Sequence, residues 1–138
     1  MKNNEQVFLK FKYYCIDEIQ YNRNVEFEKT EDNTEENKVK IDLMTGLSDE
    51  DEGHVQLSIQ IISYEEKRVL KLVFSGYFKV ETNGYKNINK EELLRINGTA
   101  ILYPYVRAII TSISSQDSLP PFILPTINTQ IFSNKENK

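Results

Sequence analysis

The sequence predicts an α+β domain in which a four-stranded antiparallel sheet precedes a long helix, a Pro-rich segment and a short C-terminal helix. Three observations carry that reading. Four segments before residue 81 repeat apolar residues with the period of two that marks a half-buried strand. The connections between them are mostly short or turn-like, which favours antiparallel pairing over βαβ crossovers. After Gly84 the apolar spacing becomes helical, and the helix runs into Leu119-Pro120-Pro121.

The first strand is expected from Gln6 to Tyr14, continuing to Tyr21, with Val7, Leu9, Phe11 and Tyr13 on one face. Glu26 to Asn37 holds too little apolar surface to offset ordering entropy and reads as an exposed acidic loop. Val39-Lys40-Ile41-Asp42-Leu43 is the second strand, and Ser48 to Gly53 a charged turn. Val55 to Tyr64 is the third strand, with Val55, Leu57, Ile59 and Ile61 on one face. Glu65-Glu66-Lys67 fits a hairpin loop, and Val69 to Val80 is the fourth strand. Gly76 interrupts this strand and signals a bulge or a close backbone approach.

Asn89 followed by Glu92 resembles a capping box and opens a short helix that Asn97-Gly98 would close. A longer helix is expected from about Thr99 to Ser115, with Pro104 in its first turn. Leu102, Val106, Ile109 and Ile113 share one face, and Ile101, Tyr105 and Ile110 widen the apolar arc to about half the circumference. One sheet needs an arc of only ~100°. The excess width points to a second buried flank, either against another subunit or under the segment that follows. In Leu119 to Ile127 three prolines alternate with apolar residues, making a stiff segment that either packs over the sheet as core or walls a groove. Ile127 to Phe132 reads as a short helix and Ser133 to Lys138 as a polar tail.

The 138 residues leave room for one domain, residues 1–138. Seventeen Lys and Arg against twenty-one Asp and Glu give a net charge of −4, which argues against a nucleic-acid partner. One cysteine and one histidine exclude a disulfide framework and most zinc chemistry. No run approaches the ~20 apolar residues of a membrane span. The first six residues carry no apolar run, so no signal peptide is expected and the chain reads as cytoplasmic, without membrane insertion.

Little in the chain suggests catalysis. There is no phosphate-cradling Gly loop and no G-x-S-x-G elbow. Cys15 lies in a strand pattern with no histidine near it in sequence, and His54 adjoins an acidic turn as a solvated loop residue. Asp49 to Glu52 lacks EF-hand spacing and reads as a solvated turn. No enzyme activity, cofactor or metal is expected.

Ile101-Leu102-Tyr103-Pro104-Tyr105-Val106-Arg107 resembles the I-L-F-P-Y-A-R helix signature of the SecB export chaperones. The Pro- and Leu-rich run from Leu119 to Pro125, then Asn128 and Ile131-Phe132, is similar to that family's crossover loop and terminal motif. Val39 to Thr45 resembles its second strand, V-K-L-D-L-D-T, and Ile19-Gln20-Tyr21 the end of its first. The resemblance covers about residues 6 to 132. It implies a homotetramer, a dimer of dimers, with an interface containing Ile101, Leu102, Tyr105, Val106, Ile109 and Ile113. It also implies ATP-independent holding of unfolded polypeptides in a hydrophobic groove. Val39, Ile41 and Leu43 would form its floor, and Phe122, Ile123, Leu124 and Ile127 its wall. Glu18 matches one acid of the face that docks the SecA motor in that family, whereas Asn22 and Leu72 stand where other acids are expected. Family members with such departures include chaperones that hold an aggregation-prone antitoxin of a toxin–antitoxin pair. SecA and an antitoxin are therefore alternative partners, and an oligomeric adaptor is the remaining reading.

Overall fold

Alternation of apolar and polar residues over the third and fourth segments gives two strands with one dry face and one wet face. The structure is a computed structural model and describes residues 8–28, 37–84 and 87–129. The four strands are β1 (Phe8–Arg23), β2 (Lys38–Leu47), β3 (Glu52–Ser63) and β4 (Arg68–Glu81). They form one antiparallel sheet in the order β1-β4-β3-β2, so β1 and β2 are its edges. Val55, Leu57, Ile59 and Ile61 of β3 are buried beside Leu70, Leu72, Phe74, Phe78 and Val80 of β4.

β1 continues past Tyr14, as expected, but two bulges reset its alternation. The register with β4 slips between Phe11 and Tyr13 and again between Ile16 and Glu18. Phe11 therefore shares the core face with Tyr14, which packs against Phe74, while Tyr13 turns outward onto Tyr77. The expected grouping of Tyr13 with Leu9 and Phe11 is corrected by the first bulge. Ser48 shapes the β2–β3 turn, its hydroxyl accepting from the amides of Glu50 and Glu52. Asp51 and Lys67 take positive φ in the two hairpin connections.

Asn89 caps helix α1 (Lys90–Leu93), its side chain accepting from the Glu92 amide at 3.0 Å. Asn97-Gly98 does not end the helical run. Instead a π-helical turn, Leu94–Gly98, joins α1 directly to α2 (Thr99–Ser114). The wider turn brings Gly98 against the sheet, where a Cβ would stand 2.9 Å from Val55 Cγ2. Because α2 continues from this turn, Pro104 lies inside the helix and not at its start. Its face toward solvent explains its tolerance there: Pro104 and Ala100, whose carbonyl loses its helical donor, are both exposed.

α2 lies over the sheet through Leu102, Val106 and Ile110, all fully buried. Three such side chains contribute about 5–9 kcal/mol. Gly76 is the close-approach alternative, not a bulge in its own strand: a Cβ there would collide with Leu102. The chain then turns back along α2 as a Pro-rich strap. The strap begins at Leu119, and no helix is formed from Ile127 to Asn128. Half of the expected C-terminal helix, residues 130–132, lies outside the described residues, as do most of the acidic loop and the polar tail.

Candidate functional site

The strap is extended, so its backbone groups need partners that it cannot supply itself. α2 supplies them from one stripe of side chains. Ser114 Oγ accepts from the Phe122 amide at 2.8 Å, and Thr111 Oγ1 donates to the Phe122 carbonyl at 3.0 Å. One turn further back, Arg107 Nε donates to the Leu124 carbonyl at 3.1 Å, and Tyr103 donates its hydroxyl to the Pro125 carbonyl at 2.6 Å. The strap thus runs antiparallel to α2, with Phe122 and Leu124 pointing inward and Ile123 outward.

Arg68 ties the start of the strap to the sheet. It is only 2 % exposed. Its guanidinium donates to the Pro120 carbonyl at 2.6 Å, to Glu66 at 2.8 Å and to the Tyr21 hydroxyl at 3.1 Å. Tyr21 in turn donates to Asp117 at 2.6 Å, and Arg23 pairs with the same carboxylate at 2.6 Å. These bonds, the one from Tyr21 foremost, hold the Asp117 carboxyl down at about 2. The period-two pattern offered no sign of this hub, because Arg68 looks like an ordinary charged residue at a hairpin end.

The expected groove residues divide by exposure. Phe122 and Leu124 are buried in the core of their own subunit and present no free surface. Inward alternation along the strap makes them anchors. Ile123 is 73 % exposed, Val39 45 % exposed, and Ile41, Leu43 and Ile127 are half-buried against the same core. Ile41 and Leu43 share the core face of the sheet with Ile59 and Leu57, their partners on β3.

The expected interface residues divide in the same way. Leu102 and Val106 serve the sheet of their own subunit. Ile101, Ile109 and Ile113 are half-buried, and Tyr105 is exposed. Across a shallow apolar cleft of about 400 Å³, Ile109, Ile113 and Ala108 face Ile16 and Ile19 of β1. Tyr14 and Tyr105 extend the strip, their rings 4.8 Å apart. Tyr14, Ile16 and Ile19 were not placed on this strip from the sequence because the bulges disguise which face they occupy.

On the outer face of the sheet, the second bulge swings Asp17 over β4. Ser75 donates to Asp17, and Gln56 Nε2 does so at 3.2 Å. Ser75 has then given its only proton, so its oxygen accepts from His54 Nε2, 2.9 Å away. His54 is therefore not a solvated loop residue: it sits in β3 with its ring stacked 4.7 Å from Tyr77. An Asp–Ser–His order with a buried serine is not a nucleophile arrangement, since the histidine cannot take the serine proton. The hydroxyl of Ser75 holds Asp17 below the ordinary carboxylate value. Burial, and then the charge of Asp17, push the Cys15 thiol up, away from nucleophilic thiolate character. Glu18 also faces outward, 3.8 Å from Lys71 Nζ, whereas Leu72 is buried in the core. Among the described residues no group of three His, Cys, Asp or Glu is placed to hold a metal ion. None of their helices is long and apolar enough to cross a membrane.

The family model for preprotein translocase subunit SecB matches residues 9–138. The chain belongs to the SecB family. An uncharacterized protein of Methanocaldococcus jannaschii is 32 % identical over 126 residues, covering 87 % of this chain and 79 % of its own length. The protein-export protein SecB of Anaplasma phagocytophilum is 30 % identical over 88 residues, which are 59 % of this chain and 54 % of that protein. Among solved structures, a Mycobacterium tuberculosis SecB-like chaperone in complex with a ChAD peptide from the HigA1 antitoxin superposes with a TM-score of 0.66. The identity is 13 %, over 86 % of this chain and 90 % of that one. A protein of unknown function from Streptococcus agalactiae superposes with a TM-score of 0.56 at 14 % identity, over 88 % of this chain and 99 % of that one. The sheet-and-helix fold is thus the SecB-like fold, and the chain is a divergent SecB-like protein with a chaperone role, in a family that is not enzymatic.

Proposed function

We propose that this SecB-like protein is an ATP-independent holdase that retains unfolded or pre-folding polypeptides on apolar surface beside the strap. The observation that carries the reading is Ile123, exposed between two buried anchors on a strap whose backbone is fixed by α2. Val39, Ile41 and Leu43 at the β2 edge add half-covered apolar surface around the same core. Such surface suits many clients because apolar burial is non-directional. Each aliphatic anchor is worth roughly 1.5–3 kcal/mol, so a client must engage several at once to overcome the cost of association. The strip formed by Tyr14, Ile16, Ile19, Tyr105, Ile109 and Ile113 is the surface through which subunits assemble into the expected homotetramer.

An antitoxin as dedicated client is favoured over SecA-coupled export by two features. The structural neighbour holds an antitoxin peptide. Asn22 and the core residue Leu72 stand where the resemblance to export chaperones expects acids. The test is suppression of aggregation of a chemically unfolded protein without nucleotide, comparing wild type with Ile123→Ser and Val39→Ser. Loss of suppression at unchanged melting temperature supports the holdase. Absence of affinity of the wild type for any unfolded chain moves the reading to an oligomeric adaptor.

A further inference from the structure

We propose that the pocket at the far end of the strap is a second subsite for the client, one that takes an aspartate or glutamate of an extended polypeptide against Arg107. This rests on the holdase reading and deepens it by naming the client chemistry. The pocket, about 310 Å³, lies between α2 and the strap residues after Pro125, with Tyr103, Pro104 and Ile127 among its walls. Arg107 is the single charged residue in its lining. Arg107 Nε holds the Leu124 carbonyl, and the terminal nitrogens form no hydrogen bond or ion pair among the described residues. The two arginines at the start of the strap differ: Arg68 is paired with Glu66 and Arg23 with Asp117, each at 2.6 Å. A half-buried cation without a counter-charge is favourable ground for an arriving carboxylate.

A second polar group narrows the ligand. Pro104 deprives the Ala100 carbonyl of its helical donor, and Ala100 lines the same pocket, one turn from Pro104 and two turns from Arg107. An acidic residue within a peptide supplies both complements, an N–H for the carbonyl and a carboxylate for the guanidinium. Ile123 precedes Thr126, on the pocket's rim, by three residues, about 10 Å of extended chain. A client that covers Ile123 with an apolar side chain therefore reaches the pocket with a residue three positions away. Assembly through the β1–α2 strip leaves the pocket open, because Arg107 lies two residues, about 200°, around α2 from both Tyr105 and Ile109.

The test is calorimetric titration of the full chain with two N-acetylated, C-amidated peptides, Leu-Ser-Leu-Ser-Ser-Glu-Ser and its Gln counterpart. At low salt the Glu peptide is expected to bind about fivefold tighter, and the difference to narrow in about 0.5 M salt. Arg107→Gln, whose side-chain amide still carries a donor for the Leu124 carbonyl, is expected to make the two peptides equal, and Arg107→Lys to keep their order. Equal affinities on the wild type, with Ile123→Ser weakening both peptides, overturn this proposal and leave the holdase reading standing. A preference for Glu that survives Arg107→Gln overturns it as well. Failure of both peptides to bind does the same, and takes the holdase reading with it only if aggregation also goes unsuppressed. If Glu136→Gln strengthens binding of the Glu peptide, the pocket belongs to this chain's own terminus and the client assignment falls.

Discussion

The Arg68 guanidinium lies 4.0 Å from the centre of the Phe122 ring while one of its nitrogens holds the Pro120 carbonyl two residues earlier. One buried cation thus grips the strap through both backbone and side chain. Its charge is met by Glu66 at 2.6 Å, the more exposed member of the pair, so the cation is buried without being isolated.

Arg68→Met is expected to destabilise the fold by about 1–3 kcal/mol, because the Pro120 carbonyl and the half-buried Glu66 carboxylate both lose their donor. Arg68→Lys should recover little, since an ammonium cannot serve three acceptors in one plane. Urea denaturation of the three proteins reads both effects, and an Arg68→Met protein as stable as wild type would show that the strap is held from α2 alone.

Phe122→Ser with Leu124→Ser should cost about 2–5 kcal/mol per site and unfold the domain or its strap. Ile123→Ser, one position from each, should leave the melting temperature within a few degrees. Differential scanning calorimetry distinguishes anchors from the outward residue between them.

Asp117 couples the strap to acid pH. Its folded value of about 2 lies below the unfolded 3.8. The stabilisation is therefore complete above about pH 4 and is lost as pH falls through about 2. The difference in melting temperature between wild type and Asp117→Asn should shrink steadily from pH 5 to pH 2. A constant difference would mean that the carboxylate charge contributes nothing.

Ile109→Asp should lower the mass in solution and leave the far-ultraviolet spectrum unchanged. In an isolated subunit the new carboxylate reaches water from a half-buried position, whereas in an assembly it would be buried without a partner. Light scattering reads the mass directly, and unchanged mass would remove the β1–α2 strip from the interface.

Gly76→Ala should destabilise by about 1–3 kcal/mol, because its methyl meets the Leu102 side chain. Leu102→Ala opens that space, so the double variant should be less destabilised than the two single changes added together. A double-mutant cycle at equilibrium gives the sign of the coupling.

The four strands and the long helix were legible because β3 and α2 repeat their periods without interruption and β4 is interrupted only around Gly76. The antiparallel pairing and the cap at Asn89 followed from turn and capping chemistry. Three things were not legible. The bulges at Lys12 and Asp17 shift the alternation without leaving a Gly or Pro to mark them. The π-helical turn makes Asn97-Gly98 look like a terminator, although tertiary contact of Gly98 with Val55 keeps the helix going. Of the candidate site, the segments were right but the division within them was hidden. Apolar patterning alone does not tell Phe122 from Ile123 or Leu102 from Tyr105. That distinction depends on which face of the strap and of α2 the sheet has already occupied, which is a property of the packed subunit.

Because the strap takes its course from hydroxyl and guanidinium groups on α2, its outward letters are free of architectural duty. Position 123 can be rewritten as larger, smaller or polar while Tyr103, Arg107, Thr111 and Ser114 keep the same path beneath it. Under the proposed holdase activity, recognition and scaffolding fall to different residues of one short segment. A protein built this way can be retuned toward a new polypeptide by single substitutions, with no refitting of the interior.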